Sequence, residues 1–235
     1  MYDPRALPTG PVGDLVRYGH ELIVKTRAHM KPYIGVDMDC SACHVNAGTR
    51  PRGESLAVYG QFPQWNKRAN RVIALQDRLA ECFLYSMNGR PPAYNSREME
   101  ALVAYIAYLS RGIPIGATPG PSVRIARFDP PQKADPRRGA LIYTQKCSAC
   151  HGEGGADKQH IYPPLWGSKS FNDIAGMHRL WTMAGFVLYN MPQNAPGTLI
   201  EQDAYDVSDY VLSHSRPHAR KNRIITFAPR RAGYF

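Results

Sequence analysis

The string Cys-Ser-Ala-Cys-His occurs twice in the 235 residues, as Cys40–His44 and again as Cys147–His151. Two thiols three positions apart with an imidazole next in line are what an iron porphyrin needs for covalent attachment. The sulfurs add to its two vinyl groups and the histidine nitrogen binds the iron. The competing chemistry is a zinc or dithiol redox site, which also uses Cys-x-x-Cys. Two identical copies, each followed by histidine and neither near another cysteine pair, point instead to two covalently bound haem c groups, with His44 and His151 as proximal ligands. Of five cysteines, Cys40, Cys43, Cys147 and Cys150 are consumed in these strings and Cys82 is left alone. No disulfide framework can be built from one thiol.

Each iron has a further axial position to fill. In the second half, Met191 stands 44 residues after Cys147, within Tyr189-Asn190-Met191-Pro192. A Met-Pro at that place offers the thioether ligand of ordinary c-type cytochromes, and Pro164-Leu165-Trp166-Gly167 upstream reads as a haem-wall turn. Met177, Met183, His160, His178 and Lys169 compete with Met191 for this role. The first half has no Met-Pro; Cys82 falls at the corresponding distance, 42 residues after Cys40. Met87 is the rival ligand there, and a buried structural cysteine the plainer alternative. Thiolate ligation would lower the potential of that haem and shield the sulfur from oxidation. Lys67, Arg68, Arg71 and Arg78 precede Cys82, and a helix over 69–86 would set Arg71, Arg78, Cys82 and Ser86 on one face. A thiolate one turn from a guanidinium and a hydroxyl suits an anionic reactant. The same arginines could equally hold haem carboxylates or face water.

The elements around the two strings repeat one plan. Leu15, Val16, Tyr18, Gly19, Leu22 and Ile23 recur at helical spacing before the first string, as Gly139, Leu141, Ile142 and Tyr143 do before the second. An amphipathic helix closes each half. The first starts near Asn95 or Ser96 and carries Met99, Leu102, Val103, Ile106 and Leu109. The second opens on Thr198-Leu199-Ile200-Glu201, read as a capping box, and carries Ala204, Val207, Val211 and Leu212. Between them, the Pro/Gly-rich run from Gly112 to Pro121 and Asp129-Pro130-Pro131 cannot continue a helix. The expected architecture is therefore all-α. Two cytochrome c-like domains, 1–111 with the first haem and 135–235 with the second and a basic tail, are joined by a linker at 112–134. Gly19 lies 21 residues before Cys40 but Gly139 only 8 before Cys147, so the first domain carries an insertion ahead of its haem.

Forty glycines and prolines fit small haem proteins rich in turns, in which the cofactor supplies much of the core. No apolar run of about 18 residues or more exists, so no membrane span is expected. Met1-Tyr2-Asp3-Pro4 lacks the basic-then-apolar pattern of a secretory signal. Because thioether attachment normally takes place outside the bacterial inner membrane, the chain reads as a mature form whose signal is removed and whose home is the periplasm. The net charge is +10, and residues 216–235 hold six Lys or Arg and no acid. Nucleic acid is disfavoured as a partner, because neither aromatic platforms nor a recognised binding fold accompany the charge.

Several of these segments resemble the dihaem thiosulfate dehydrogenases: Cys82-Phe83-Leu84-Tyr85-Ser86-Met87-Asn88-Gly89-Arg90, Asn70-Arg71-Val72 through Asp77-Arg78, Leu15 to Gly19, Ser96 to Tyr105, and Met191-Pro192 before the last helix. The resemblance spans roughly residues 12–215 and is most specific around Cys82. It implies a first, His/Cys-ligated haem as the active site and a second, His/Met-ligated haem that relays electrons to an external one-electron acceptor such as another cytochrome c. The reaction it implies couples two thiosulfates to tetrathionate, reversibly in some relatives. Carried over position by position, Cys82 is ligand and sulfur-reactive centre, Arg68, Arg78 and Ser86 bind substrate, and Arg71 is a weaker candidate. Some relatives exchange a lysine with the methionine after it as ligand; Asn190 occupies that place here and cannot serve in that way. Two other readings stand beside this one. A non-catalytic dihaem electron carrier leaves Cys82 and its arginines without a purpose, and a Sox-type sulfur-oxidising cytochrome would depend on a carrier-bound substrate.

Overall fold

The computed structural model describes residues 3, 6–117, 125–156, 159 and 161–219. In chain order its main elements are α1 (Pro11–Val24), a hairpin of β1 (Gln64–Asn66) and β2 (Arg71–Ile73), α2 (Leu75–Glu81), α3 (Arg97–Leu109), α4 (Pro136–Lys146), α5 (Leu180–Asn190) and α6 (Glu201–Ser213). Among the described residues no helix is long and apolar enough to cross a membrane.

Each half is held by one crossing of its first and last helices. Pro11 opens α1, where a missing N–H costs nothing, and Val16, Gly19, Leu22 and Ile23 form its buried stripe. Ser96 caps α3 by accepting a hydrogen bond from the Met99 N–H at 3.2 Å. The two helices touch at Gly19, where an added Cβ would stand 2.1 Å from the Ala101 carbonyl oxygen. Only glycine allows backbones that close. The second half repeats the device with α4 and α6: a Cβ on Gly139 would lie 2.0 Å from the Asp206 carbonyl oxygen. There the contact is reinforced by Arg138, which donates to both carboxylate oxygens of buried Asp206 at 2.7 and 3.0 Å. The apolar cores merge: Leu22, Met99, Leu102 and Tyr105 belong to the same cluster as Tyr143, Phe171, Val207 and Val211. From Ile125 the connecting segment is irregular but docked, with Ile125 packed on Val45 and Phe186.

Two local expectations are corrected. Residues 69–86 are not one helix. Asn70 turns the chain at φ 50°, Arg71–Ile73 pairs antiparallel with Gln64–Asn66, and α2 starts only at Leu75. The β-branched pair Val72-Ile73 after a turn residue suits a strand, and the Asp77 carboxylate ends it by accepting from the Ala74 N–H at 3.0 Å. Nor does the capping box at Thr198 form: its hydroxyl donates backwards to the Ala195 carbonyl at 2.8 Å, and α6 begins at Glu201 with no side-chain cap.

Candidate active site around the first Cys-x-x-Cys-His string

Cys43 and His44 open onto a cavity of about 350 Å³ that Cys82 also lines, together with Arg68, Arg78 and Ser86. Residues scattered over more than forty positions thus meet at one place. Arg71 does not join them; its guanidinium pairs with Asp77 at 3.1 Å, on the strand that displaced it from the helix.

Cys82 follows directly on α2, where the helix widens. Residues Cys82–Ser86 form a π-helical turn, closed by the Met87 N–H donating to the Cys82 carbonyl at 2.9 Å. Such turns cluster at functional sites. Phe83, Leu84 and Tyr85 are buried and anchor it. The rival Met87 is 4% exposed and sits in the core cluster, whereas Cys82 faces the cavity. The two differ in surroundings, not merely in position.

The histidines are held alike. His44 Nδ1 lies 2.6 Å from the Glu54 carbonyl oxygen and His151 Nδ1 lies 3.2 Å from that of Pro163. Donation from Nδ1 fixes the tautomer and leaves Nε2 with its lone pair for a metal. Burial holds the His44 imidazole below its ordinary value, against the pull of Glu54. Each string therefore presents two thiols and one oriented imidazole, a donor set that fits a c-type haem. At the first, a third thiol shares the cavity.

The charges around Cys82 are arranged in pairs. Burial pushes its thiol up, Arg78 and more weakly Arg68 pull it down, and Glu81 and Glu54 act with the burial. Arg78 is raised in turn, first of all by Cys82. Glu81 positions Arg78 through an ion pair of 3.3 Å, and Asn66 holds that carboxylate with its amide 3.1 Å from both oxygens. Arg68 reaches across to the second half, donating to the Ile174 carbonyl at 3.0 Å while its guanidinium lies 4.5 Å from the centre of the Tyr85 ring. Sequence reasoning missed Glu54 and Asn66 here and gave Glu81 no role. It also missed Arg179 and Thr182, which line the same cavity from the start of α5.

Met191 caps the end of α5 and packs against Val45, Ile125 and Phe186. Of its competitors, Met183 is buried in the core cluster, Met177 lines the first cavity, Lys169 is exposed, and His160 lies outside the described residues. His178 occupies a short 3₁₀ turn ahead of α5. Trp166, in the expected wall turn, stacks on His214 at 4.0 Å and leans on Tyr143 at 5.2 Å. Asn190 is buried, and its amide donates to the Arg52 carbonyl of the first half at 2.9 Å and to that of Phe186 at 3.0 Å.

Residues 35–115 match the SoxA/TsdA cytochrome c domain and residues 134–211 match cytochrome c oxidase, cbb3-type, subunit III. Thiosulfate dehydrogenase of Stutzerimonas stutzeri is 37% identical over 217 residues, covering 90% of this chain and 70% of that protein. The chain belongs to the thiosulfate dehydrogenase family. Another relative, thiosulfate dehydrogenase of Allochromatium vinosum, is 35% identical over 225 residues, covering 90% of this chain and 82% of its own. The solved structure of thiosulfate dehydrogenase (TsdBA) from Marichromatium purpuratum in its as-isolated form superposes with a TM-score of 0.87 at 34% identity, covering 96% of this chain. This chain spans 50% of the length of that one. Two cytochrome c domains within the thiosulfate dehydrogenase family mean that the protein carries two covalently bound c-type haems.

Proposed function

We propose that this protein oxidises thiosulfate, joining two molecules into tetrathionate at the cavity lined by Cys82 and passing the electrons to an external one-electron acceptor such as another cytochrome c. The observation that carries the reading is the single cavity shared by Cys43, His44, Cys82, Arg68, Arg78 and Ser86. Cys40 and Cys43 would attach the first haem, with His44 and Cys82 offered to its iron; Cys147 and Cys150 would attach the second, with His151 and Met191 offered to its iron. Each haem, when bound, accepts one electron, so the two together take up the pair released.

The protein's own residues do the rest. Bringing two dianions together costs Coulomb energy, which guanidinium groups offset best at a site partly withdrawn from water. Arg68, Arg78 and the Ser86 hydroxyl hold the sulfonate oxygens. The Cys82 thiolate bonds to the outer sulfur of one thiosulfate, giving Cys82–S–S–SO₃⁻ and releasing two electrons. The outer sulfur of a second thiosulfate then attacks that bound sulfur; tetrathionate leaves and the Cys82 thiolate is restored. Glu81 and Asn66 keep Arg78 turned toward the sulfur while this happens. The periplasm is the compartment in which such a haem protein would meet its substrate. Steady-state formation of tetrathionate with ferricyanide as acceptor tests the reading, and haem reduction without tetrathionate would leave an electron carrier.

Two outcomes are expected from the residues named. Arg68→Gln and Arg78→Gln should each lower kcat/KM for thiosulfate about ten- to a hundredfold, the equivalent of about 1.5–3 kcal/mol per charged hydrogen bond, with both haems still attached. Unchanged kinetics in both variants would return these arginines to a structural role. Met191→Gly should abolish the near-infrared methionine–iron charge-transfer band and shift the potential of the second haem. Retention of that band would assign the ligand to Met183 or Met177 instead. With Asn190 beside Met191, no His/Lys signature is expected after reduction and reoxidation of the wild type.

A further inference from the structure

Coupling two dianions needs two places for anions, and the residues considered so far come from one side. Arg68, Arg78, Cys82 and Ser86 all belong to the first half. The cavity is completed from the second half by Gly176, Met177, Arg179 and Thr182. Arg78 is already paired with Glu81, and Arg68 already donates to Ile174. Among the described residues, by contrast, no acid pairs with Arg179, and the Thr182 hydroxyl is buried without a hydrogen-bond partner. The two residues stand in one turn at the start of α5, where the Thr182 N–H donates to the Arg179 carbonyl at 2.9 Å. That end of an 11-residue helix favours negative charge.

We infer that Arg179 and Thr182 form a second oxyanion subsite, contributed by the second half of the chain, which receives a sulfonate group of the second thiosulfate. The inference rests on the thiosulfate reading above. It divides the substrate pair between the halves: one molecule beside Cys82, Arg78 and Ser86, the other on the edge of α5, with tetrathionate spanning both. A buried hydroxyl lacking a partner is costly unless something donates to it or accepts from it, and an oxyanion accepts from the hydroxyl and the guanidinium alike. The same chemistry could be supplied by a carboxylate of the first haem, and the experiment separates the two sources.

The test uses the holoprotein with both haems attached and oxidised, carrying Arg179→Gln, Arg179→Lys or Thr182→Val. Tetrathionate binding is followed by calorimetry, since the oxidised protein has no electrons to give and nothing turns over. Arg179→Gln and Thr182→Val should weaken binding by roughly tenfold and raise KM for thiosulfate more than they lower kcat, with Arg179→Lys intermediate and both haem potentials unmoved. Wild-type affinity in the Gln and Val variants would overturn the subsite. So would intact tetrathionate binding with a displaced potential of the first haem, which assigns the edge to a haem carboxylate. Failure of the wild type to form tetrathionate would defeat the thiosulfate reading itself; the binding measurement is made without turnover and keeps the two failures apart.

Discussion

Replacing Cys82 with glycine should reduce tetrathionate formation by about three orders of magnitude or more, the scale on which removal of a nucleophile acts. The thiolate low-spin signal should vanish from one haem only, leaving that iron five-coordinate, water-ligated or captured by Met87. Thiosulfate binding should survive, because Arg68, Arg78 and Ser86 line the cavity independently of the sulfur. Cys82→Met is the stricter variant. It can restore a sixth ligand but not a nucleophilic sulfur, so near wild-type turnover would refute the covalent step while sparing the ligand assignment. If Cys82→Gly left both turnover and the electron paramagnetic resonance of the oxidised haems unchanged, the cysteine would be structural and the electron-carrier reading the better one.

The second large effect is on folding. Gly19→Val and Gly139→Val each place a branched side chain where even a Cβ would lie 2.1 or 2.0 Å from a backbone carbonyl oxygen. The neighbour is helix backbone and cannot swing aside, so the two helices of that half must part. The loss should be about 3 kcal/mol or more, at or beyond the upper end for overpacking, and is measured by chemical denaturation of the holoprotein. Gly139→Val should also strain the ion pair between Arg138 and buried Asp206. A midpoint unchanged in either variant would mean that the crossing is not the contact that defines that half.

The parts of this molecule that were legible in the sequence are those written in contiguous residues. Cys-Ser-Ala-Cys-His carries its chemistry in five positions, and the stripe of Val16, Gly19, Leu22 and Ile23 specifies a helix face by spacing alone. Ser96 announced the start of α3 because an N-cap is a local interaction. Thr198 carried the same kind of signal and misled, because its hydroxyl found the Ala195 carbonyl first. Arg71 was placed on a helix because spacings of seven and four fit one; strand pairing with Asn66 overrode that period. Cys82 stood out as the unpaired thiol, and the structure brings it to the cavity of Cys43 and His44. Arg179 and Thr182 were invisible for a different reason. They lie nearly a hundred residues from Cys82, in a segment with no motif of its own, and only the docking of the two halves sets them beside it.

One contact of that docking runs through the backbone from Arg52 to Glu54. The carbonyl of Glu54 receives the Nδ1 proton of His44 at 2.6 Å, and the carbonyl of Arg52, two residues earlier, receives the amide of Asn190 at 2.9 Å. Arg52 and Glu54 are both held in the left-handed region, at φ 59° and 51°, a conformation that side-chain-bearing residues adopt only under constraint. Asn190 precedes Met191, so the orientation of one proposed axial ligand and the seating of the other are fastened to opposite ends of a three-residue strap. Any displacement of Asn190 is thereby carried to the turn of backbone against which the His44 ring is oriented.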